Sequence, residues 1–276
     1  MLVMDVENLN EEASRYALTT NLLNLILNDL KQSILANSNL ILNANKEDVK
    51  VSKRQIKVME FINIIDNYRN NECILNDDER KIIIYKGDPY LTLNICLQSI
   101  TQRTKILLVQ EDFMYGVNEI LLKIINKVLK EYKITNLINK ISYSDFELDK
   151  TRNLFDGIVV IGDTTIYQKL ENEENIKFFP YNNISLYCDS EELLKLQNAI
   201  YMYANENEFE IEICYDESLD DAIKTINKDK TKNMAILLTK DNENKEKFEK
   251  EIIRKEVIVN ENPFKHDVGV IYNYLK

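Results

Sequence analysis

Between residues 81 and 259, short aliphatic runs alternate with helix-patterned stretches, and this alternation decides the fold class. Lys81 to Tyr85 reads KIIIY, Lys105 to Val109 KILLV, Ile158 to Ile161 IVVI and Ile184 to Tyr187 ISLY. Runs this short and unbroken suit strands buried on both faces, the pattern of a parallel sheet. Helices are predicted between them, over Leu91 to Ser99, Asn118 to Tyr132, Thr164 to Glu171 and Glu191 to Tyr203, with a short strand at Lys140 to Tyr143. Strand and helix in strict turn predict an α/β chain with a doubly wound parallel sheet. Ahead of the sheet, Glu11 to Asn45 and Ser52 to Asn70 carry apolar residues at helical spacing.

The polar stretch Ala204 to Glu208 (ANENE) interrupts the alternation. Beyond it a second, shorter α/β unit is predicted. Its strands are Glu210 to Tyr215, Met234 to Leu238 and Glu256 to Val259, with helices over Leu219 to Asn227 and Glu243 to Ile253. The expected organisation is a first region over 1–204, a second over 205–262 and a tail over 263–276, where Val268 to Leu275 offers a pairing strand.

Composition removes several function classes. A net charge of -11 opposes general nucleic-acid binding and docking on anionic membranes. No apolar run approaches a membrane span, and Met1 to Asn10 lacks the basic start of a signal peptide, so the cytoplasm is expected. Cys73, Cys96, Cys188 and Cys214 form no C-x-x-C pair and have no histidine beside them, which argues against a metal site and a disulfide framework. The chain has 5 glycines, where average usage gives roughly 19. An AT-rich coding bias explains part of the deficit, since Asn, Ile and Lys abound.

Four stretches, in order, resemble the aldehyde dehydrogenase superfamily and within it gamma-glutamyl phosphate reductase. They are LNDLKQSILANSNLILNANKEDV (Leu27 to Val49), IIIYKGDPYLTLNICLQSI (Ile82 to Ile100), FDGIVVIGD (Phe155 to Asp163) and the long run from Glu217 to Phe264. The resemblance implies a Rossmann-like NAD(P) domain and a catalytic domain whose cysteine thiolate attacks a carbonyl while nicotinamide exchanges hydride.

Carried over residue by residue, the active parts are poor. Where the family has a basic, open turn after the cofactor strand, this chain has Val109, Gln110, Glu111 and Asp112. Asn118 fits the family's next helix, and Gly162 is kept in the second cofactor turn with Asp163 as its neighbour; these three are the candidate cofactor residues. The helix resembling the one before the family's nucleophile, Leu196 to Ala204, runs straight into Asn205-Glu206-Asn207-Glu208 and then a strand, so the block holding that cysteine is missing. Cys214 and Cys188 are the remaining candidate nucleophiles, each more simply read as a buried strand residue. Pro180-Tyr181-Asn182-Asn183 stands where the family carries glycines beside its pocket. Asp88 and Asp163 read as turn formers, and His266, the lone histidine, as a surface residue.

Two functions follow as expectations. One is a catalytically inactive member of the superfamily acting as a binding, regulatory or oligomeric scaffold, with no cofactor and a homo- or hetero-oligomeric assembly. The alternative is an active NADP- or NAD-dependent oxidoreductase reducing gamma-glutamyl phosphate, or a related acyl phosphate or aldehyde, as in proline biosynthesis.

Overall fold

The aliphatic runs form two separate parallel sheets. The structure, a computed structural model, describes residues 19–52, 55–69, 79–110, 114–181, 183–206, 209–253 and 255–261. Of these, the residues up to Ile161 together with Ile166–Lys177 form one compact unit, and Gly162–Thr165 with those from Phe178 onward form a second.

In the first unit, three helices precede the sheet: α1 (Thr20–Ala36), α2 (Ser38–Ser52) and α3 (Val58–Asn67). Thr19 caps α1 by accepting a hydrogen bond from the Leu22 amide at 3.1 Å. Leu23, Ile26, Leu27, Leu30 and Ile34 give it one buried face. The single helix expected over 11–45 is broken at Asn37, whose side-chain amide donates to the Ser33 carbonyl at 2.8 Å and competes with the helical backbone ladder. The part of that expectation at 11–18 lies outside the described residues.

Strands β1 (Arg80–Tyr85), β2 (Lys105–Gln110), β3 (Ile138–Ser142), β4 (Gly157–Ile161) and β5 (Ile176–Phe179) follow, with α4 (Pro89–Gln102), α5 (Tyr115–Glu131), the short α6 (Leu148–Thr151) and α7 (Thr164–Leu170) between them. The sheet order is β3-β2-β1-β4-β5. β1 pairs in parallel with β2 and β4, and β2 with β3, so the doubly wound expectation holds. Strand β5 (IKFF) was not expected. It is brief, half exposed and set between polar residues and Pro180, so it lacks an aliphatic signature. Helix α4 is buried along most of its length. The preceding helices reach it through the Phe61 and Tyr90 rings, whose centroids lie 4.9 Å apart, and through a hydrogen bond from the Tyr68 hydroxyl to the Asn94 side chain.

The second unit holds β6 (Asn183–Cys188), α8 (Leu194–Glu206), β7 (Glu210–Cys214), α9 (Leu219–Lys228), β8 (Met234–Leu238), α10 (Asn242–Glu251) and β9 (Glu256–Val259). Its sheet order is β7-β6-β8-β9, with every neighbouring pair parallel. One face packs Tyr187 and Cys214 against Leu219, Ile223, Ile226 and Phe248; the other packs Ile184 and Leu186 against Ile200.

This arrangement moves the boundary expected at residue 204. β6 pairs with both β7 and β8 and is the centre of the second sheet, so the first unit ends before it. The described part of the polar stretch at 204–208 is helical, because α8 runs on to Glu206. The tail at 263–276 lies outside the described residues.

The glycine deficit has a backbone counterpart. Gly87 and Gly162 take left-handed conformations, but so do Arg103, Met114, Lys133, Asn136, Asn175 and Asn260. The deficit is therefore spread over turns throughout the chain, and is not confined to those expected to meet a cofactor. Among the described residues, no helix is long and apolar enough to cross a membrane.

Candidate functional site

In a doubly wound sheet a ligand is met at the carboxyl ends of the strands, where helix N-termini offer free amides. In the first unit those are the ends of β1 and β2 and the starts of α4 and α5. Both starts are occupied by the chain's own carboxylates.

After β1 the chain turns at Gly87 (φ 92), where a side chain would be strained, and enters α4 through Asp88 and Pro89. The Asp88 Oδ1 accepts hydrogen bonds from the Tyr90 and Leu91 amides at 2.8 and 3.1 Å. Asp88, expected as a turn former, is thus a helix cap. Helix α5 begins from Met114, which is left-handed and supplies no side-chain cap. Its cap comes from α2: the Asp48 carboxylate accepts from the Gly116 amide at 3.1 Å and the Val117 amide at 2.9 Å. The sequence reading missed Asp48. The signal available was a helix start with no capping residue of its own, next to a glycine.

Between these two helix starts lies a buried polar network. The Asn118 side-chain amide donates to the Gly87 carbonyl at 2.5 Å, and its Oδ1 faces the Thr92 hydroxyl at 2.8 Å. The Thr92 hydroxyl also meets the Asp88 carbonyl at 2.9 Å and the Tyr85 hydroxyl at 2.8 Å, and Tyr85 reaches the Gln110 Oε1 at 3.3 Å. Asn118 is 1% exposed and Gln110 2%. Burial pushes the Tyr85 phenol well above its ordinary value, so it stays neutral. Asn118, a candidate cofactor residue, serves here as a brace between the β1–α4 turn and α5. Glu111 and Asp112 lie outside the described residues.

The other candidates group with the second unit. Gly162 has φ 79, and a Cβ there would meet the Tyr181 carbonyl at 3.0 Å, so backbone geometry alone demands glycine. Asp163 is buried. Next to it, the Glu210 carboxylate accepts from the Thr164 hydroxyl at 3.0 Å and from the Asn183 side-chain amide at 3.1 Å.

Cys188 and Cys214 cannot act together. Cys214 is the register partner of Tyr187 and shares its face, whereas Cys188, the next residue along β6, points to the other. Burial, then Glu212, Asp216 and Asp229, push the Cys214 thiol up to about 12. Burial and then Asp189 raise Cys188, whose thiol donates to the Ser190 carbonyl at 3.3 Å. At Cys214 the opposing pull of Lys232 is outweighed by burial and the carboxylates, so neither thiol is brought to a thiolate at neutral pH. Burial also raises the Cys96 thiol. Cys73 and His266 lie outside the described residues. Among the described residues, no group of three or more His, Cys, Asp or Glu side chains could hold a metal.

The arrangement does not fit a dinucleotide phosphate at α4 or α5. Each helix start already spends its amides on a carboxylate, and each unit of like charge brought within about 4 Å costs on the order of 4 kcal/mol at the effective dielectric of a protein surface.

No protein-family model matches the sequence, and no curated protein matches it. Solved structures do match in fold. A putative aldehyde dehydrogenase from Bacillus subtilis aligns at a TM-score of 0.64 and 12% identity, covering 98% of this chain and 88% of that one. Glyceraldehyde-3-phosphate dehydrogenase GapN from Methanocaldococcus jannaschii, complexed with NADP, aligns at 0.58 and 11%, covering 94% and 82%. Gamma-glutamyl phosphate reductase from Thermotoga maritima aligns at 0.53 and 15%, covering 92% and 85%. The chain has the aldehyde dehydrogenase fold, with a gamma-glutamyl phosphate reductase among its structural relatives.

Proposed function

We propose that this chain is a catalytically inactive, cofactor-free protein on an aldehyde dehydrogenase fold, working in the cytoplasm by association with itself or another protein. The observation that carries the reading is the pair of internal carboxylates, Asp88 on α4 and Asp48 on α5, at the two helix starts of the first sheet. Two further features support it. The thiols of Cys188 and Cys214 lie on opposite sheet faces and are raised. Only residues 207–209 separate α8 from β7, where the sequence resemblance expects a nucleophile block.

The deciding experiment is titration of the purified protein with NADPH and NADH, read by thermal shift and by ligand fluorescence. A ligand at a hundredfold excess over its dissociation constant stabilises the native state by about 2.7 kcal/mol. The expected result is no shift with either cofactor. Micromolar binding of one would instead support an NADP- or NAD-dependent reductase of an acyl phosphate or aldehyde. Light scattering tests the association: a strict monomer with no stoichiometric partner removes that part of the reading.

A further inference from the structure

The second sheet ends on β7, and its outer edge carries an unusual chemistry. We propose that this edge docks an extended, basic segment of another protein, which joins the sheet as a fifth strand beside β7. The proposal deepens the binding-protein reading by naming a class of partner, but its geometry stands on observations independent of the cofactor site.

Three observations carry it. First, β7 is an edge: it pairs with β6 alone, and among the described residues no backbone bond leaves Glu210–Cys214 on the far side. A row of unpaired amides and carbonyls is a template for a strand from another chain.

Second, the edge is acidic in a strand-like pattern. From 210 to 217 the chain has Glu210, Glu212, Asp216 and Glu217, and no lysine or arginine. Within β7, Glu210 and Glu212 lie on one face by the two-residue period, and Ile211 and Ile213 on the other. Glu210 is held by Thr164 and Asn183, but Glu212 is 56% exposed, and Lys232 stands off from it at 3.8 Å. The field at this strand is negative on balance: Glu212, Asp216 and Asp229 raise the neighbouring Cys214 thiol after burial does, against the opposing pull of Lys232.

Third, the rim is apolar. Tyr215, directly after β7, is 84% exposed, and α8, on the Ile211 side of the sheet, leaves Leu194, Tyr201 and Met202 exposed. An incoming strand with basic residues at alternate positions sets them beside Glu212 and turns its other residues to the isoleucine face.

The charges also decide against a second copy of this chain as occupant. Two β7 strands paired antiparallel would bring Glu210 and Glu212 against Glu212 and Glu210, and like charges directly opposite destabilise a sheet. The opposite edge, β9, is aliphatic apart from Glu256, and nothing there selects an occupant.

The test uses the full chain and three short fluorescent peptides: alternating Lys and Val, alternating Glu and Val, and the Lys-Val peptide interrupted by prolines. Binding is followed by anisotropy at low and high ionic strength, and site by amide hydrogen exchange over residues 210–214. The Lys-Val peptide is expected to bind at least about tenfold more tightly than the Glu-Val peptide, to weaken with salt and to protect those amides. Glu212→Lys, at an exposed position, is expected to weaken it about tenfold, and Glu212→Gln by less. Equal binding of the proline-broken peptide, binding without protection at β7, or no binding overturns the proposal, as does self-association that protects the same amides. Because the peptides are scored apart from the nucleotides, failure here leaves the cofactor result standing, and the reverse.

Discussion

Asp48 and Gly116 are joined across two helices, the carboxylate of one receiving the amide hydrogen of the other at 3.1 Å. The absent Cβ makes room for the contact: an alanine at 116 would place that carbon 3.2 Å from the Asp48 Oδ1 and 3.3 Å from the Ala44 Cβ. A helix whose own first residue cannot cap it borrows its anion from a neighbour.

Removing that anion exposes the debt. Asp48→Ala leaves the Gly116 and Val117 amides without their acceptor and is expected to destabilise the protein by roughly 1–2 kcal/mol, read as a lower urea midpoint at constant m-value. Gly116→Ala is expected to cost less, because the carboxylate can move by a few tenths of an ångström. A neutral result for Asp48→Ala would mean that α5 does not depend on it.

Asn118 separates a brace from a cofactor ligand. Asn118→Leu strands the buried Gly87 carbonyl, at about 1–3 kcal/mol, and leaves the Thr92 hydroxyl with only the Asp88 carbonyl and the Tyr85 hydroxyl. The melting temperature should fall sharply while nucleotide titrations stay flat for wild type and variant alike. A variant that kept its stability but changed a nucleotide signal would restore Asn118 to a binding role.

Gly162→Ala is expected to be destabilising through two causes at once. The left-handed backbone at φ 79 penalises any side chain, by about 1–2 kcal/mol, and the new Cβ sits against the Tyr181 carbonyl. Equilibrium unfolding checks it.

The thiols give a pH prediction with a definite sign. The Cys214 thiol has an ordinary value of 9.0 and is raised to about 12 in the fold. Its contribution to stability is whole below 9.0, where native and unfolded thiols are both protonated. It is lost as pH rises from 9.0 toward 12, where the unfolded chain releases its proton first. Unfolding midpoints measured from pH 7 to 11 should therefore fall with pH, and Cys214→Ala should flatten that slope. Alkylation mapped by mass spectrometry should modify half-buried Cys188 before Cys214 and Cys96, and all three slowly at neutral pH.

The sheets were legible because an Ile-Leu-Val run of four or five residues has few other places to go. KIIIY, KILLV, IVVI, ISLY and MAILL all became central or near-central strands. What the sequence hid was which strands shared a sheet, since β6 reads the same whether it closes the first sheet or centres the second. Two of the cofactor candidates, Asn118 and Gly162, make contacts visible only in space. The amide of one is consumed by Gly87, and the backbone of the other crowds Tyr181. The Asp48 cap was invisible because its partners lie 68 and 69 residues away.

Among the described residues, the six side-chain-bearing ones held in left-handed backbone leave this protein with headroom for hardening. Asparagine tolerates that conformation, but a Cβ at Arg103, Met114 and Lys133 is strained by it, although the buried Met114 side chain fills core space. Arg103 and Lys133 sit at helix margins, so exchange for glycine there releases a small, separate amount of stored energy, whereas at Met114 it would open a cavity. A more heat-resistant version of the chain is therefore a matter of returning a few glycines to it.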